Sequence, residues 1–255
     1  MYYEEHGAGE PLLLIRGLGR SLRYWEPALP SFARHFKTIV FDNRGVGRTQ
    51  APLGFYSTQQ MAADTAALLE ALGLDRAHVF GISLGGMIAQ ELALRHRPRV
   101  RRLILAATRA GGTRSTPTPR STIARLARAT AAPSHESNRI HAELTLSAAY
   151  LADHPEIVGK WCDWAAADPN KKRGRVGQVA AAASHDAWDR LPHLKAQTLV
   201  VTGDQDLMIP AVNSEQLADL IPGARLRTLR GAAHDLSTER PEELSNLVRD
   251  FLERA

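Results

Sequence analysis

One serine in this sequence has the surroundings of a residue that attacks a carbonyl carbon. Ser83 stands between Gly81 and Gly85, after a short apolar run and before a helical pattern of leucines. A strand that turns at once into a helix forces its corner residue towards positive φ, which costs a non-glycine residue about 1–3 kcal/mol. The two glycines leave out the Cβ atoms that would collide across so tight a turn. We therefore predict that Ser83 is presented at the start of a helix, in a nucleophile elbow.

A serine hydroxyl also needs a base that removes its proton and a third group that orients this base. His234 lies in a glycine-containing loop after the last predicted strand, which favours it over the rest of the ten histidines. Asp204 and Asp206 both follow the preceding strand, and their spacing leaves the choice of the orienting acid open. The chain thus offers a serine, an acid and a base in that order, each just past the end of a strand.

Acyl transfer further requires hydrogen-bond donors for the negative charge that develops on oxygen, each worth roughly 3–4 kcal/mol. The main-chain N–H of Leu84 is available at the start of the helix after Ser83. We expect the second donor in the glycine-containing loop at 16–21, where the N–H of Leu18 is our prediction. The alternative is that this loop is an ordinary turn.

The order of elements predicts an α/β fold: a mainly parallel, doubly wound sheet that is covered by helices on both faces. Apolar runs that end in loops alternate with helical patterns along most of the chain. Strands are predicted at 2–5, 11–15, 37–41, 77–82, 100–107, 198–202 and 225–229. Since ligands bind beyond the carboxyl ends of parallel strands, the loops at 16–21 and 42–48 should gather with Ser83 at one edge of the sheet.

This alternation stops between residues 109 and 193, where helical patterns replace the strands. Helices are predicted at 121–132, 137–153, 155–168 and 175–185, and a further one near the N-terminus at 25–36. The insert is longer than an ordinary crossover between two strands. We predict an α/β core formed by 1–108 and 194–255, with 109–193 as a helical cap, or lid. Trp161, Trp164 and Trp188 are candidates to line a substrate pocket beneath it.

Composition excludes several other classes of protein. The net charge is +5, but the positive residues are scattered and few aromatics accompany them, so we do not expect nucleic-acid binding. The basic residues at 95–102 and at 171–173 are interpreted as a helix end and a solvated loop. A single cysteine, Cys162, excludes an internal disulfide and favours a reducing compartment. No signal peptide and no membrane span are predicted, so the expectation is a cytoplasmic protein; its oligomeric state stays open.

The sequence resembles the α/β-hydrolase superfamily over essentially its whole length, in four motifs that follow the family's order. The segment 81–86 resembles the nucleophile elbow, 42–49 the D-x-R-G-x-G-x-S/T loop, 203–210 the acid loop, and 231–234 the base loop. The resemblance implies the α/β-hydrolase fold and favours Asp206 over Asp204 as the acid. Within the superfamily, residues 83–90 are most similar to the branch of 3-oxoadipate enol-lactonases and small bacterial esterases.

One position departs from the family's pattern. Arg16 precedes Gly17 where the family usually has a histidine, so the contacts that support the loop of Leu18 must differ here. The serine also disfavours the reactions of relatives with an aspartate nucleophile, namely haloalkane dehalogenases and epoxide hydrolases.

These observations predict a serine hydrolase that cleaves a small or medium carboxylic ester or lactone through an acyl-enzyme. No cofactor and no metal are expected, since no Cys/His cluster has ligand spacing. The same three residues would also suit hydrolysis of a C–C bond or a thioester, or perhydrolysis. A further alternative is a ligand-binding or cyclisation protein on the same scaffold.

Overall fold

The computed structural model describes residues 1–169 and 173–253, with Arg173 described by its backbone alone. These residues form seven strands in one sheet, in the order β1-β3-β2-β4-β5-β6-β7. Only β1 is antiparallel to its neighbour; the five other pairings are parallel. The predicted fold class is confirmed. The solvated loop predicted at 171–173 falls on residues of which the structure describes only that backbone position.

The strands lie close to their predicted positions. They are β1 (Tyr3–His6), β2 (Pro11–Ile15), β3 (Lys37–Phe41), β4 (Ala77–Ile82), β5 (Val100–Ala106), β6 (Gln197–Gly203) and β7 (Arg225–Leu229). The helices of the core are α1 (Leu29–Ala33), α2 (Thr58–Ala71), α3 (Leu84–Arg95), α9 (Val212–Leu220), α10 (Leu236–Glu239) and α11 (Pro241–Glu253). Between β5 and β6 lie α4 (Arg120–Ala131), α5 (Ser134–Thr145), α6 (Ala148–Asp153), α7 (Ile157–Ala166) and α8 (Arg173–Ser184). We call this stretch, α4–α8, the helical segment.

Helices cover both faces of the sheet, and strand β2 shows how the sequence divides its side chains between them. Leu12 and Leu14 pack into the apolar layer that includes α1 and α11. Leu13 and Ile15 pack into the opposite layer, which includes α2 and α3. Successive side chains of a strand point to opposite faces, so a continuous apolar run is what a strand buried on both faces requires.

Two predicted helices are wrong in extent. The helix predicted at 25–36 is a 3₁₀ turn at Leu22–Trp25 followed by the short helix α1. Pro27 and Pro30 explain the interruption, because a proline lacks an N–H and disfavours helical backbone in the residue before it.

The helix predicted at 137–153 is two helices, α5 and α6. Leu146 between them is extended (φ −120°, ψ 148°). The side chain of Ser147 then accepts a hydrogen bond from the N–H of Tyr150 at 3.2 Å. This serine starts α6 as an N-cap, a local signal that the apolar periodicity of the segment conceals.

The chain that follows α8 is fastened to the core by a buried histidine. His185 Nδ1 lies 3.0 Å from the hydroxyl of Thr58 on α2, and its Nε2 lies 3.2 Å from the Oε1 of Gln90 on α3. Burial is the main cause that lowers the pKa of His185 to about 4, against the partial opposition of Glu91. The imidazole is therefore neutral at pH 7.

This histidine should make the protein sensitive to mild acid. An unfolded chain binds a proton at His185 below pH about 6.5, whereas the folded chain does so only near its lowered pKa, so stability falls between these two values. We expect this residue alone to account for a loss of about 3 kcal/mol in the free energy of unfolding between pH 7 and pH 4. Urea denaturation at several pH values measures it.

The variant His185→Gln should show a flatter pH dependence than the wild-type protein. His35→Gln is the matched control, because His35 is exposed, and its profile should follow that of the wild type. Equal slopes for the wild type and His185→Gln would contradict the assignment.

Candidate active site

Ser83 occupies the corner between β4 and α3 in a backbone conformation that is unusual for a residue with a side chain. Its φ is 58° and its ψ is −123°. A Cβ atom added at Gly81 would lie 2.2 Å from the carbonyl oxygen of Gly85, and one added at Gly85 would lie 2.0 Å from that of Ile15. Neither space admits a side chain, which is the physical reason for both glycines. The elbow geometry predicted for this segment is present.

The strained serine is held by its neighbour strand. Its N–H donates to the carbonyl of Ala106 at 3.0 Å, and its own carbonyl accepts from the hydroxyl of Thr108 at 2.8 Å. Ser83 is partly exposed although the residues on both sides of it are buried. The fold thus fixes the backbone of this residue and leaves its side chain accessible.

The structure brings His234 and Asp206 into direct contact. His234 Nδ1 lies 2.8 Å from Oδ2 of Asp206, and both side chains are almost completely buried. A carboxylate oxygen can only accept, so Nδ1 is the donor, and Nε2 is the accepting nitrogen of the neutral imidazole. The other oxygen, Oδ1, accepts from the N–H groups of Met208 and Ile209, each at 2.8 Å. The carboxylate is thereby fixed and can orient the imidazole.

Asp204 has a different partner. Its Oδ1 accepts from the N–H of Gly231 at 2.7 Å, at the exposed side of the same loop pair. The two loops approach closely, since a Cβ at Gly203 would lie 2.2 Å from the carbonyl of Ala232. Spacing left Asp204 and Asp206 equivalent; in the structure only Asp206 reaches His234.

The loop after β2 lies against the serine. A Cβ added at Gly17 would be 3.1 Å from the Cβ of Ser83 and 3.5 Å from its Oγ. The next residue is Leu18, and Leu84 begins helix α3 on the other side of Ser83. Among the described residues, no acceptor receives a hydrogen bond from the N–H of Leu18 or of Leu84. The predicted oxyanion donors are thus on the two segments that adjoin Ser83, and their role stays a prediction.

Arg16, the departure from the family's pattern, forms a buried ion pair. Its guanidinium donates to Oδ2 of Asp235 and to the hydroxyl of Ser237, each at 2.5 Å. It also lies 4.9 Å above the ring of Trp25. Asp235 directly follows His234, so this pair joins the loop of Leu18 to the loop of the base.

Both partners of this pair are almost inaccessible, with 3% and 7% of their side chains exposed. Burial lowers the pKa of Arg16, and the charge of Asp235 opposes this. Burial alone would raise the pKa of Asp235, but the neighbouring Arg16 and the hydroxyl of Ser237 hold it below its usual value. Each charge is therefore tolerated in the interior because of the other.

Further residues that sequence reasoning missed support these loops. Asp42 accepts from the N–H groups of Leu22 and Arg48, each at 2.8 Å, and burial is the main cause that raises its pKa. The amide of Asn43 donates to the carbonyl of Arg16 at 2.9 Å. The first residues of the D-x-R-G motif thus brace the loop after β2, and the motif itself was the signal that could have indicated such a role.

The base loop is braced on both sides of His234. Oε1 of the buried Glu239 accepts from the N–H of Ala233 at 2.9 Å. The N–H of Asp235 donates to the carbonyl of Thr145, the last residue of α5, at 2.8 Å. No local sequence pattern indicates either contact. At Thr145 in particular, only the main chain takes part, so the type of side chain gives no signal.

The three tryptophans predicted to line a substrate pocket are not in one place. Trp161 and Trp164 of α7 pack together against Tyr24, with ring centroids 5.7 and 4.9 Å from that of the tyrosine. Trp188 is half-buried and lies beside Arg114, whose guanidinium is 5.0 Å from its ring. Their contact with a substrate stays a prediction.

Comparisons with known proteins bear on the family to which the chain belongs. A family model described as the alpha/beta hydrolase fold matches residues 10–136. A crystal structure of a hydrolase from Pseudomonas aeruginosa PA01 is 31% identical, with a TM-score of 0.85, and the match covers 99% of this chain and 94% of that one. The chain belongs to the α/β-hydrolase family.

Other members of the family indicate the range of reactions among its relatives. The enol-lactonase from Burkholderia xenovorans LB400 is 28% identical with a TM-score of 0.87, over 99% of this chain and 96% of that one. RutD of Azorhizobium caulinodans, whose name gives carbamate hydrolysis as an unproven activity, is 29% identical over 98% of this chain and 94% of its own length. This α/β hydrolase is accordingly an enzyme, and its relatives act on small molecules.

The described residues lack two other features that would indicate a different class of protein. None of the helices they form is both long and apolar enough to cross a membrane. They also contain no group of three or more His, Cys, Asp or Glu side chains placed to hold a metal ion.

The ion pair of Arg16 and Asp235 gives a stability prediction. Asp235→Asn leaves the guanidinium of Arg16 buried without its counter-charge, and we expect the free energy of unfolding to fall by about 3–5 kcal/mol. Urea denaturation at pH 7 measures the change. Replacing both residues, as in Arg16→Met with Asp235→Leu, should cost less than the sum of the single replacements, because no unpaired charge remains.

Asp189→Asn is the matched control, since Asp189 pairs with Arg114 at the surface and 82% of its side chain is exposed. Its denaturation midpoint should stay close to that of the wild type. A midpoint for Asp235→Asn that equals the control's would show that the buried pair is not needed for stability.

Proposed function

We propose that this α/β hydrolase is a serine hydrolase that cleaves a small or medium carboxylic ester or lactone. The observations that carry the proposal are the strained, partly exposed Ser83 after β4 and the hydrogen-bonded His234–Asp206 pair, whose residues follow β7 and β6 of the same sheet. A non-glycine residue at positive φ costs about 1–3 kcal/mol, and such strain persists where function requires it. The enol-lactonase among the relatives supports the class of substrate.

The proposed reaction has two halves. Ser83 Oγ attacks the carbonyl carbon while Nε2 of His234 takes its proton, and Asp206 stabilises the imidazolium that forms. The N–H groups of Leu18 and Leu84 hold the tetrahedral oxyanion. His234 then returns the proton to the leaving alcohol, which departs or, in a lactone, stays attached to the acyl chain. Water attacks the acyl-enzyme by the same route and releases the acid.

We propose further that residues 109–193 form a helical cap over this site and that residues 1–108 and 194–255 form the catalytic core. The bond from Asp235 to Thr145 supports this placement, because it holds the end of α5 next to the base. The expected compartment is the cytoplasm, on the evidence of the single cysteine. Hydrolysis of a C–C bond, a thioester or a carbamate, and perhydrolysis, would use the same three residues.

The proposal is tested with Ser83→Ala. This variant should lose turnover of a 4-nitrophenyl ester by about 10⁴-fold or more, because the nucleophile is absent. It should also lose labelling by a fluorophosphonate, which reacts only with an activated serine. Ser121→Ala is the matched control: Ser121 is an exposed serine of α4, and its removal should change neither measurement.

Labelling of Ser83→Ala at the wild-type rate would overturn the assignment of the nucleophile. Wild-type protein that binds ligands tightly but neither hydrolyses nor is labelled would support the ligand-binding alternative. A panel with an enol-lactone, a carbamate, a thioester and a diketone then separates the remaining bond types by their kcat/KM values.

A further inference from the structure

Helix α8 lies so close to the core that two of its positions have no room for a side chain. A Cβ atom added at Gly174 would lie 1.8 Å from the carbonyl oxygen of Gly45, in the loop after β3. One added at Gly177 would lie 2.6 Å from the ring of Tyr56, whose N–H donates to the carbonyl of Gly177 at 3.3 Å. Glycine within a helix costs about 1 kcal/mol relative to alanine. The close approach of α8 to the core is the physical reason for both glycines.

Gln178 is the residue of α8 that uses this proximity. It lies one helical turn beyond Gly174, on the same side of the helix, and it is completely buried. Its Oε1 accepts a hydrogen bond from the N–H of Gly19 at 2.7 Å, and its Nε2 donates one to the carbonyl of Arg44 at 2.8 Å. One partner is a main-chain donor and the other a main-chain acceptor, so a side-chain amide satisfies both. Gln178 therefore joins the loops that follow β2 and β3.

Gly19 occupies the third position of a tight turn. The turn runs from Gly17 to Arg20 and is closed by a hydrogen bond from the N–H of Arg20 to the carbonyl of Gly17 at 3.3 Å. Gly19 has a φ of 67°, whereas the φ of Leu18 is not positive, which is the combination found in a type II turn. A type I turn differs from it by a rotation of the peptide between Leu18 and Gly19 through roughly 150°. The direction of the Gly19 N–H therefore distinguishes the two turns.

The hydrogen bond from Gly19 to Gln178 fixes the orientation of this peptide. In the type I arrangement the N–H of Gly19 would point away from Gln178, and a buried acceptor without a partner costs about 1–3 kcal/mol. The turn also begins against the proposed nucleophile, since a Cβ added at Gly17 would lie 3.1 Å from that of Ser83. A rotation of the peptide would be taken up at Leu18, the predicted oxyanion donor.

The two ends of the turn have different supports. Just before its start, the carbonyl of Arg16 accepts from the amide of Asn43 at 2.9 Å, and the guanidinium of Arg16 pairs with Asp235. These contacts belong to the core. At its end, the guanidinium carbon of Arg20 lies 4.2 Å from the ring centroid of Trp161 on α7. The helical segment thus contacts the end of this turn through α7 as well as through α8.

We propose that Gln178 is a positioning residue for the oxyanion loop. It acts through Gly19, by holding the turn in the conformation that directs the N–H of Leu18 towards the oxyanion at Ser83. Reaction at the serine then requires α8 to be docked on the core. The oxyanion develops only in the transition state, so this positioning should contribute to kcat and leave the binding of the ester unchanged. This inference rests on the proposed serine hydrolase function.

The variant Gln178→Met tests the inference, because methionine has a similar length and no amide group. We expect kcat for a 4-nitrophenyl ester to fall by about 10- to 100-fold, a part of the effect of losing one oxyanion donor, with KM within about twofold of the wild-type value. A boronic acid that adds to Ser83 as a tetrahedral anion should lose affinity by the same factor as kcat/KM, because it needs the same donors.

Gln90→Met is the matched control. Gln90 is also completely buried; its Nε2 donates to the carbonyl of Arg109 at 3.0 Å, and its Oε1 lies 3.2 Å from Nε2 of His185. The same replacement there removes two buried hydrogen bonds without a contact to the turn at 17–20. We expect a comparable fall in Tm and an unchanged kcat.

Two further variants separate an effect on the turn from a general loss of packing. In Gln178→Glu the carboxyl group, ionised or protonated, keeps an oxygen that accepts from the N–H of Gly19, whereas the side chain in Gln178→Asn is one methylene too short to reach it. The kcat of Gln178→Glu should therefore exceed that of Gln178→Asn by about tenfold. Thermal denaturation shows which variants are folded, and this pair decides the matter if Gln178→Met does not fold.

Several outcomes overturn the inference while the serine hydrolase proposal stands. They are a kcat of Gln178→Met near the wild-type value, an equal fall in kcat for Gln90→Met, and equal kcat values for Gln178→Glu and Gln178→Asn. A rise in KM without a fall in kcat also overturns it, since Gln178 would then act on substrate binding. Wild-type protein that shows neither turnover nor labelling is a different result, because it overturns the proposed function itself.

Discussion

The position of Ser83 depends on the close approach of two main-chain segments, the start of α3 and the end of β2. Helix α3 begins so near the end of β2 that Gly85 has room for a hydrogen atom alone beside the carbonyl of Ile15. That contact forces β4 to turn sharply and places Ser83 at positive φ. It also brings the loop after β2 against the serine, so the same constraint positions the side chain that would attack and the loop that would stabilise the resulting charge.

A second constraint is an ion pair between residues that are distant in the sequence. Arg16 and Asp235 are far apart in sequence, yet their ion pair fixes the loop of Leu18 relative to the loop of His234. A buried pair of this kind contributes little net stability compared with an apolar pair, but it is specific, because either charge alone is strongly unfavourable.

Local patterns in the sequence were sufficient for the sheet, for the corner at Ser83 and for the position of His234 after the last strand. They were insufficient for contacts that depend on the orientation of a side chain or on residues far apart in the sequence. Asp204 and Asp206 occupy one loop, and the conformation of its backbone decides their partners. Asp206 contacts His234, whereas Asp204 contacts the N–H of Gly231. The partner of Arg16 could not be found by spacing. The apolar periodicity also concealed two helix boundaries. The prolines at 27 and 30 interrupt one predicted helix, and the N-cap at Ser147 divides the other.

The hydrogen bond between Asp235 and Thr145 has a consequence for how such a protein can diverge. Its acceptor is a main-chain carbonyl, which every amino acid possesses, so any side chain at this position preserves the bond. An inserted or deleted residue nearby would instead shift the carbonyl out of register with the loop of His234. A substitution of the side chain at Thr145 therefore leaves this contact with the base loop intact, whereas a change in length within α5 would displace it.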